Sequence, residues 1–288
     1  LCGSPFFLVF IGVRNMIPQW QDWPGFDFIF FDCDSTLSAI EGIDELARQK
    51  GKFNEVKKLT DAAMDGEVHL QSVYDYRLQL LNPTRSEIKE LVQSYREAVV
   101  PDAEGVISAL QFLGKEVFII SGGLLAAVRP FGVGLGIPAQ NIRAVDVHYN
   151  NLSGQWWDYQ QDLWGQRPDV NYMNPEITPL IETQGKTQVI RELLGDHPRR
   201  AMLIGDGVSD LVARSVVDLL VGFGGVISRQ RVAHEADVFI KVNSLAPVLP
   251  LALSHQEHAK LINPTHQAIL QKGLSMMAGN EVFFNKSF

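Results

Sequence analysis

The chain has 288 residues and a mass of 32.1 kDa, enough for one large domain or a domain with a small companion. Hydrophobic residues are 46% and charged residues 20%, a globular balance with ample apolar content for a core. The formal charge of −8 argues against a nucleic-acid-binding surface, while leaving room for an anionic small substrate held by a few local cations.

Near the start, the apolar run Pro5 to Val13 is far short of the roughly 20 residues of a membrane span, so no membrane partner is expected. No basic residues lead into it, as a secretory signal would require. Residues 1–16 are expected to be a poorly ordered N-terminal extension, with Met16 as the natural start. The two cysteines are Cys2, at the terminus, and Cys33, inside an acidic motif. A structural bridge is not expected, which favours a reducing, cytoplasmic compartment.

The stretch Phe28-Ile-Phe-Phe-Asp-Cys-Asp-Ser-Thr36 organises the rest. Phe28 to Phe31 is a continuous apolar run, suited to a strand buried on both faces of a parallel sheet. It ends in Asp32 and Asp34, whose i, i+2 spacing turns both side chains the same way. They meet just past the carboxyl end of the strand, where open α/β sheets bind ligands. Two carboxylates so close call for a cation or a shared proton, and a hard divalent ion such as Mg2+ suits oxygen ligands. The plainer reading is a turn that caps a helix. A calcium loop is excluded, because Thr36, Leu37 and Ile43 stand where it needs Asp or Asn, Gly and Glu.

A helix is expected from Glu41 to Ala47, then helices over 54–65, 69–81 and 84–97, with Asn82-Pro83 as a break. No strand is expected in this region, which reads as a small helical cap domain over 41–98. Within it Met64, Leu70 and Arg77 follow at spacings of six and seven. From pattern alone, Met64 and Leu70 read as core and Arg77 as a solvated face.

A helix over 102–113 and a buried strand over 116–120 lead into Ser121-Gly122-Gly123 and another helix. A strand, a glycine turn and a helix N-terminus make an anion site. The glycines at 132, 134 and 136 miss the dinucleotide spacing, because position 137 is Ile. Residues 142–149 read as one strand, and Asn150 to Gly154 as a turn. Residues 155–184, with Trp156, Trp157 and Trp164, read as an irregular ordered insertion. Gly185-Lys186-Thr187 starts a helix, and Leu180 excludes a P-loop. The short strand 201–204 ends in Gly205-Asp206-Gly207-Val-Ser-Asp210, repeating the layout of the first motif. Two more strands are expected at 219–221 and 238–240, then a helical tail beyond Leu245. His255 and His258 lack a third ligand and read as surface residues.

In this order the motifs resemble those of the haloacid-dehalogenase-like (HAD-like) hydrolases, and within them the phosphoserine phosphatases. Asp32-Cys-Asp-Ser-Thr36 matches the first motif, Ser121-Gly-Gly the second, Lys186 the third and Gly205-Asp-Gly-Val-Ser-Asp210 the fourth; Glu41-Gly-Ile-Asp-Glu-Leu-Ala47 is similar to what phosphoserine phosphatases carry after the first. The resemblance implies an α/β fold, a Rossmann-like parallel sheet core over 17–40 and 99–288 with the 41–98 cap inserted after the first strand. It implies a Mg2+-dependent phosphomonoesterase of serine biosynthesis acting on a small phosphorylated metabolite, O-phosphoserine first. Asp32 would be the nucleophile and Asp34 the acid and base. Ser121, Gly122 and Lys186 would hold the phosphoryl oxygens. Asp32, the Asp34 backbone carbonyl and Asp206 would hold the metal, with Asp210 orienting them. Glu41, Arg77, Met64 and Leu70 would bind the rest of the substrate. Val208-Ser209 replaces the frequent Ala-Asn, Leu70 the usual Phe, and both the 155–184 stretch and the tail are longer than expected. A phosphatase for another small ester, or a non-catalytic relative that binds a phosphorylated ligand, are the alternatives.

Overall fold

The computed structural model describes residues 23–64, 67–154, 167–196 and 199–286; the side chains of Met64, Leu70 and Ser72 are outside that description. The expected N-terminal extension and the three tryptophans of the insertion lie outside the described residues.

The apolar run forms β1 (Phe28–Phe31), every residue buried. Four helices follow: α1 (Gly42–Gln49), α2 (Phe53–Met64), α3 (Leu70–Leu81) and α4 (Arg85–Glu97). Asn82, left-handed at φ 42°, ends α3 ahead of Pro83. Thr84 and Glu87 start α4 with a reciprocal capping box. Among the described residues of 41–98 there is no strand of the central sheet.

Next come α5 (Ala103–Phe112), β2 (Glu116–Leu124), α6 (Leu125–Gly134), β3 (Ile142–Val145), β4 (Val147–Tyr149) and β5 (Tyr172–Pro175). Two expectations change here. Ser121-Gly-Gly is not a turn: β2 continues through it to Leu124, which pairs with Val145 past a register shift. The expected strand over 142–149 is two strands in different sheets. β3 pairs with β2, whereas β4 pairs antiparallel with β5. The chain turns between them at Asp146, whose carboxylate accepts from the Val147 N–H. β5 gives the insertion a role in packing. The Tyr172 hydroxyl donates to Asp75 of α3 at 2.6 Å. The backbone N–H groups of Arg85 and Ser86 donate to the carbonyls of Val170 and Pro168.

The chain continues through α7 (Gly185–Leu194), β6 (Ala201–Gly205), α8 (Val208–Ala213), β7 (Leu219–Phe223), α9 (Gln230–Glu235), β8 (Val238–Ile240), α10 (Val248–Ala252), α11 (His255–His258), α12 (Pro264–Ala278) and β9 (Val282–Phe284). The tail is therefore not wholly helical: β9 closes the sheet edge antiparallel to β8. The sheet order is β3-β2-β1-β6-β7-β8-β9, with every pair but the last parallel. No described helix is long and apolar enough to cross a membrane.

Register brings the motifs together. Phe31 pairs with Ile119 on one side and Ile204 on the other. Asp32, Ser121 and Asp206 therefore sit at nearly the same level along three adjacent parallel strands, just past the ends of β1 and β6 and within β2. The chain then departs from β1 in opposite directions, through β2 and β3 or through β6 to β8. That makes the end of β1 the crevice where such sheets bind ligands.

Candidate active site

Ser35 is the local cause of the site's shape. Its φ of 52° is left-handed, a conformation costing a non-glycine residue about 1 kcal/mol. The bend lets its hydroxyl donate to Glu41 Oε1 at 2.8 Å. It also lets the Gly42 N–H donate to Asp34 Oδ1 at 2.8 Å. The first motif and the start of α1 thus share one pocket wall.

Asp32 is buried, and its Oδ1 accepts from the Cys33 N–H at 2.7 Å. Its Oδ2 faces Lys186 Nζ at 2.6 Å, and the same ammonium lies 2.7 Å from Asp210 Oδ1. Burial works against the Lys186 charge, but Asp210 and then Asp32 outweigh it and raise its pKa. Asp210 Oδ2 accepts from the Gly207 N–H at 3.1 Å. Gly205 is required beneath it, since a Cβ there would come within 2.2 Å of the Asp210 carboxyl carbon.

Asp34 takes a different set of partners. Tyr95 donates its hydroxyl to Oδ1 at 2.6 Å, and Ser121 Oγ reaches Oδ2 at 3.4 Å. Burial, then the Asp32 charge, push Asp34 up to about 6 against the Tyr95 hydrogen bond. Burial likewise pushes the Glu41 carboxyl well up, with Asp34 and Asp206 adding to it.

Asp32, Asp206 and Asp210 offer carboxylate oxygens within 4.8 Å of one another. Asp206 is fully buried: its Oδ2 accepts from Arg229 Nε at 3.3 Å, while Oδ1 has no hydrogen-bond partner. Burial and then Asp32 push Asp206 up to about 8, with Arg229 opposing. Three buried acids and an orphaned carboxylate oxygen fit a hard divalent cation.

Asp32, Asp34, Glu41, Arg77, Gly122 and Lys186 line one pocket, joined by Tyr74, Tyr95, Leu180 and Ser209. Arg77 is buried rather than solvated: its Nη1 donates to Thr60 Oγ1 at 2.9 Å, and Thr60 donates to Asp44 at 2.8 Å. Its Nε is buried without a hydrogen-bond partner. The side chains of Met64 and Leu70 are outside the described ones. Sequence reasoning missed Tyr95, Thr60, Asp44 and Arg229. Asp44 and Thr60 lie on different helices, and Tyr95 meets Asp34 across 61 residues, so no local spacing marked them. His255 and His258 form no metal cluster among the described residues.

No model of a known protein family matches the chain. The human phosphoserine phosphatase is 32% identical over 215 residues, covering 74% of this chain and 88% of its own length. Among solved structures, DsGPDH of Dunaliella salina is 27% identical with a TM-score of 0.62, over 84% of this chain. The match spans 36% of that longer protein. A phospho-aspartyl intermediate analogue of phosphoserine phosphatase shares the fold, at 23% identity and a TM-score of 0.63 over 78% of this chain and 98% of its own.

Proposed function

This chain belongs to the phosphoserine phosphatase family, and on that premise we propose that it hydrolyses O-phosphoserine through a phosphoryl group carried on Asp32. The observation that carries the reading is the pairing of Lys186 with Asp32 Oδ2 beside Asp34, with two further buried acids behind. Asp32 and Asp206 would hold Mg2+, with the Asp34 backbone carbonyl, and Asp210 would orient them. Bound there, the ion supplies charge neutralisation for the phosphoryl oxygens.

The residues divide the work. Asp32 attacks phosphorus as a carboxylate, forming its P–O bond as the ester P–O bond breaks. Asp34 gives its proton to the departing serine oxygen, then takes one from the water that attacks the aspartyl-phosphate. That second attack releases inorganic phosphate and restores Asp32. Ser121, the Gly122 N–H and Lys186 hold the phosphoryl oxygens, so positioning and charge do most of the work. Glu41 accepts hydrogen bonds from the substrate ammonium, and Arg77 donates to the carboxylate; the unpartnered Arg77 Nε supports the latter. Helices α1–α4 act as a cap domain over 41–98 on a core of 17–40 and 99–288. The free, buried Cys33 suits cytoplasmic serine biosynthesis.

The test is a phosphomonoester panel with Mg2+ on wild type and Asp32→Asn. Phosphoserine should be the preferred ester and the variant inert though folded. Turnover by the variant, or no preference for phosphoserine, overturns the assignment.

A further inference from the structure

Asp34 is held by more than its own motif. Both strong hydrogen bonds to its carboxylate fall on one oxygen: Oδ1 accepts from the Gly42 N–H at 2.8 Å and from the Tyr95 hydroxyl at 2.6 Å. The other oxygen, Oδ2, has the 3.4 Å contact from Ser121 Oγ and lies against Gly123, where a Cβ would sit 2.7 Å away. An oxygen that already accepts two hydrogen bonds is the poorer place for a proton. That leaves Oδ2, the oxygen turned toward the Ser121-Gly-Gly strand, as the one open to a proton.

Tyr95 is fixed for this task at three points. Its ring is fully buried and stacks on Phe131, with centroids 5.3 Å apart. Its backbone carbonyl accepts from Ser38 Oγ at 3.1 Å, which ties α4 to the loop that carries Asp34. Its hydroxyl reaches Asp34 only because residue 42 is glycine: a Cβ there would come within 2.3 Å of the Tyr95 oxygen. Gly42 thus donates to Asp34 and makes room for the second donor.

We infer that Tyr95 is a positioning residue for the proton donor: it and Gly42 clamp Asp34 Oδ1, so that Oδ2 presents the proton to the leaving oxygen of an alkyl phosphate. The inference rests on the phosphatase reading and deepens it. It concerns the step in which the ester P–O bond breaks and the Oδ2 proton passes to the departing alkoxide. An ester whose alcohol leaves as a stable anion needs no such proton.

The experiment is Tyr95→Phe assayed with Mg2+ on phosphoserine and on p-nitrophenyl phosphate, comparing kcat/KM, which reports the first chemical step. For phosphoserine it should fall about ten- to a hundredfold, part of what a general acid supplies. For p-nitrophenyl phosphate it should stay within about twofold, because transition-state stabilisation is lost only where a proton is transferred. Gly42→Ala should reproduce this ester-dependent loss by displacing the Tyr95 hydroxyl. It also keeps the test decisive if the phenylalanine variant does not fold. Equal losses on both esters would assign Tyr95 a purely structural role and overturn the inference. So would no loss on either. A wild-type protein inert toward both esters would overturn the phosphatase reading and the inference with it.

Discussion

Lys186 places its ammonium 2.6 Å from Oδ2 of Asp32, with both side chains buried. A cation in that position does two jobs. In the proposed reaction it would draw a phosphoryl oxygen toward Asp32, and it balances acids that burial would otherwise protonate. Removing it strands a charge: breaking a buried pair costs about 3 kcal/mol. Lys186→Met should therefore lose turnover and melt well below wild type in chelator. Mg2+ should then raise the melting temperature of the variant more than that of wild type, since the ion replaces the missing charge. Thermal melts with and without metal check this.

Arg229 bears on the same cluster from the other side. It engages Asp206 Oδ2, while Oδ1 of the same carboxylate has no hydrogen-bond partner. Groups that orient a metal ligand typically contribute 10- to 100-fold in affinity, about that much being the expected loss in Arg229→Gln. Titrating Mg2+ by calorimetry reads it directly, without reference to catalysis.

Much of this centre is legible in the chain because its motifs are local. An apolar run followed by Asp32 and Asp34, or by Asp206, announces a strand end, and parallel register then aligns the ends. What escapes is set by packing between distant elements. Nothing near Tyr95 signals that its hydroxyl meets Asp34. Arg77 reads as solvated until α2 supplies Thr60 to hold it. Gly122 and Gly123 read as a turn, although the strand runs on through both, and at Gly123 the backbone passes close to Asp34. The alternation over 142–149 survives the passage from one sheet to another, so it conceals the break at Asp146. β9, at three residues, is too short for any period to show.

The tail is anchored by Glu257, which caps α11 through Ser254 and pairs with Lys115, whose side chain is largely buried. Burial alone would raise its pKa, but hydrogen bonds from Lys115 and from Ser254 overcome this and lower it. A depressed folded pKa contributes stability that is complete above the unfolded value, near 4.3, and fades as pH falls through the folded one. Glu257→Gln should thus cost about 1 kcal/mol at neutral pH, typical of a hydrogen bond to a charged, partly exposed group. The gap between wild type and variant should close below about pH 4. Urea unfolding at a series of pH values measures it; a gap that widens in acid would contradict the sign.

The substrate's carboxylate is tested through Arg77. The guanidinium is buried in the pocket wall, tethered by one nitrogen to Thr60, with its Nε unpartnered. Burial lowers its pKa against the pull of Tyr74 and Glu41, so the site holds a cation in want of an anion. A charged hydrogen bond of this kind contributes about 1.5–3 kcal/mol, or roughly 10- to 150-fold in binding. Arg77→Ala should raise KM for phosphoserine by that factor. Phosphoethanolamine keeps the phosphate and the ammonium but lacks the carboxylate, so its KM should barely change. Thr60→Val should give a weaker version of the same pattern by loosening the tether. Equal KM increases for both esters would remove Arg77 from carboxylate recognition and leave it a structural cation of α3.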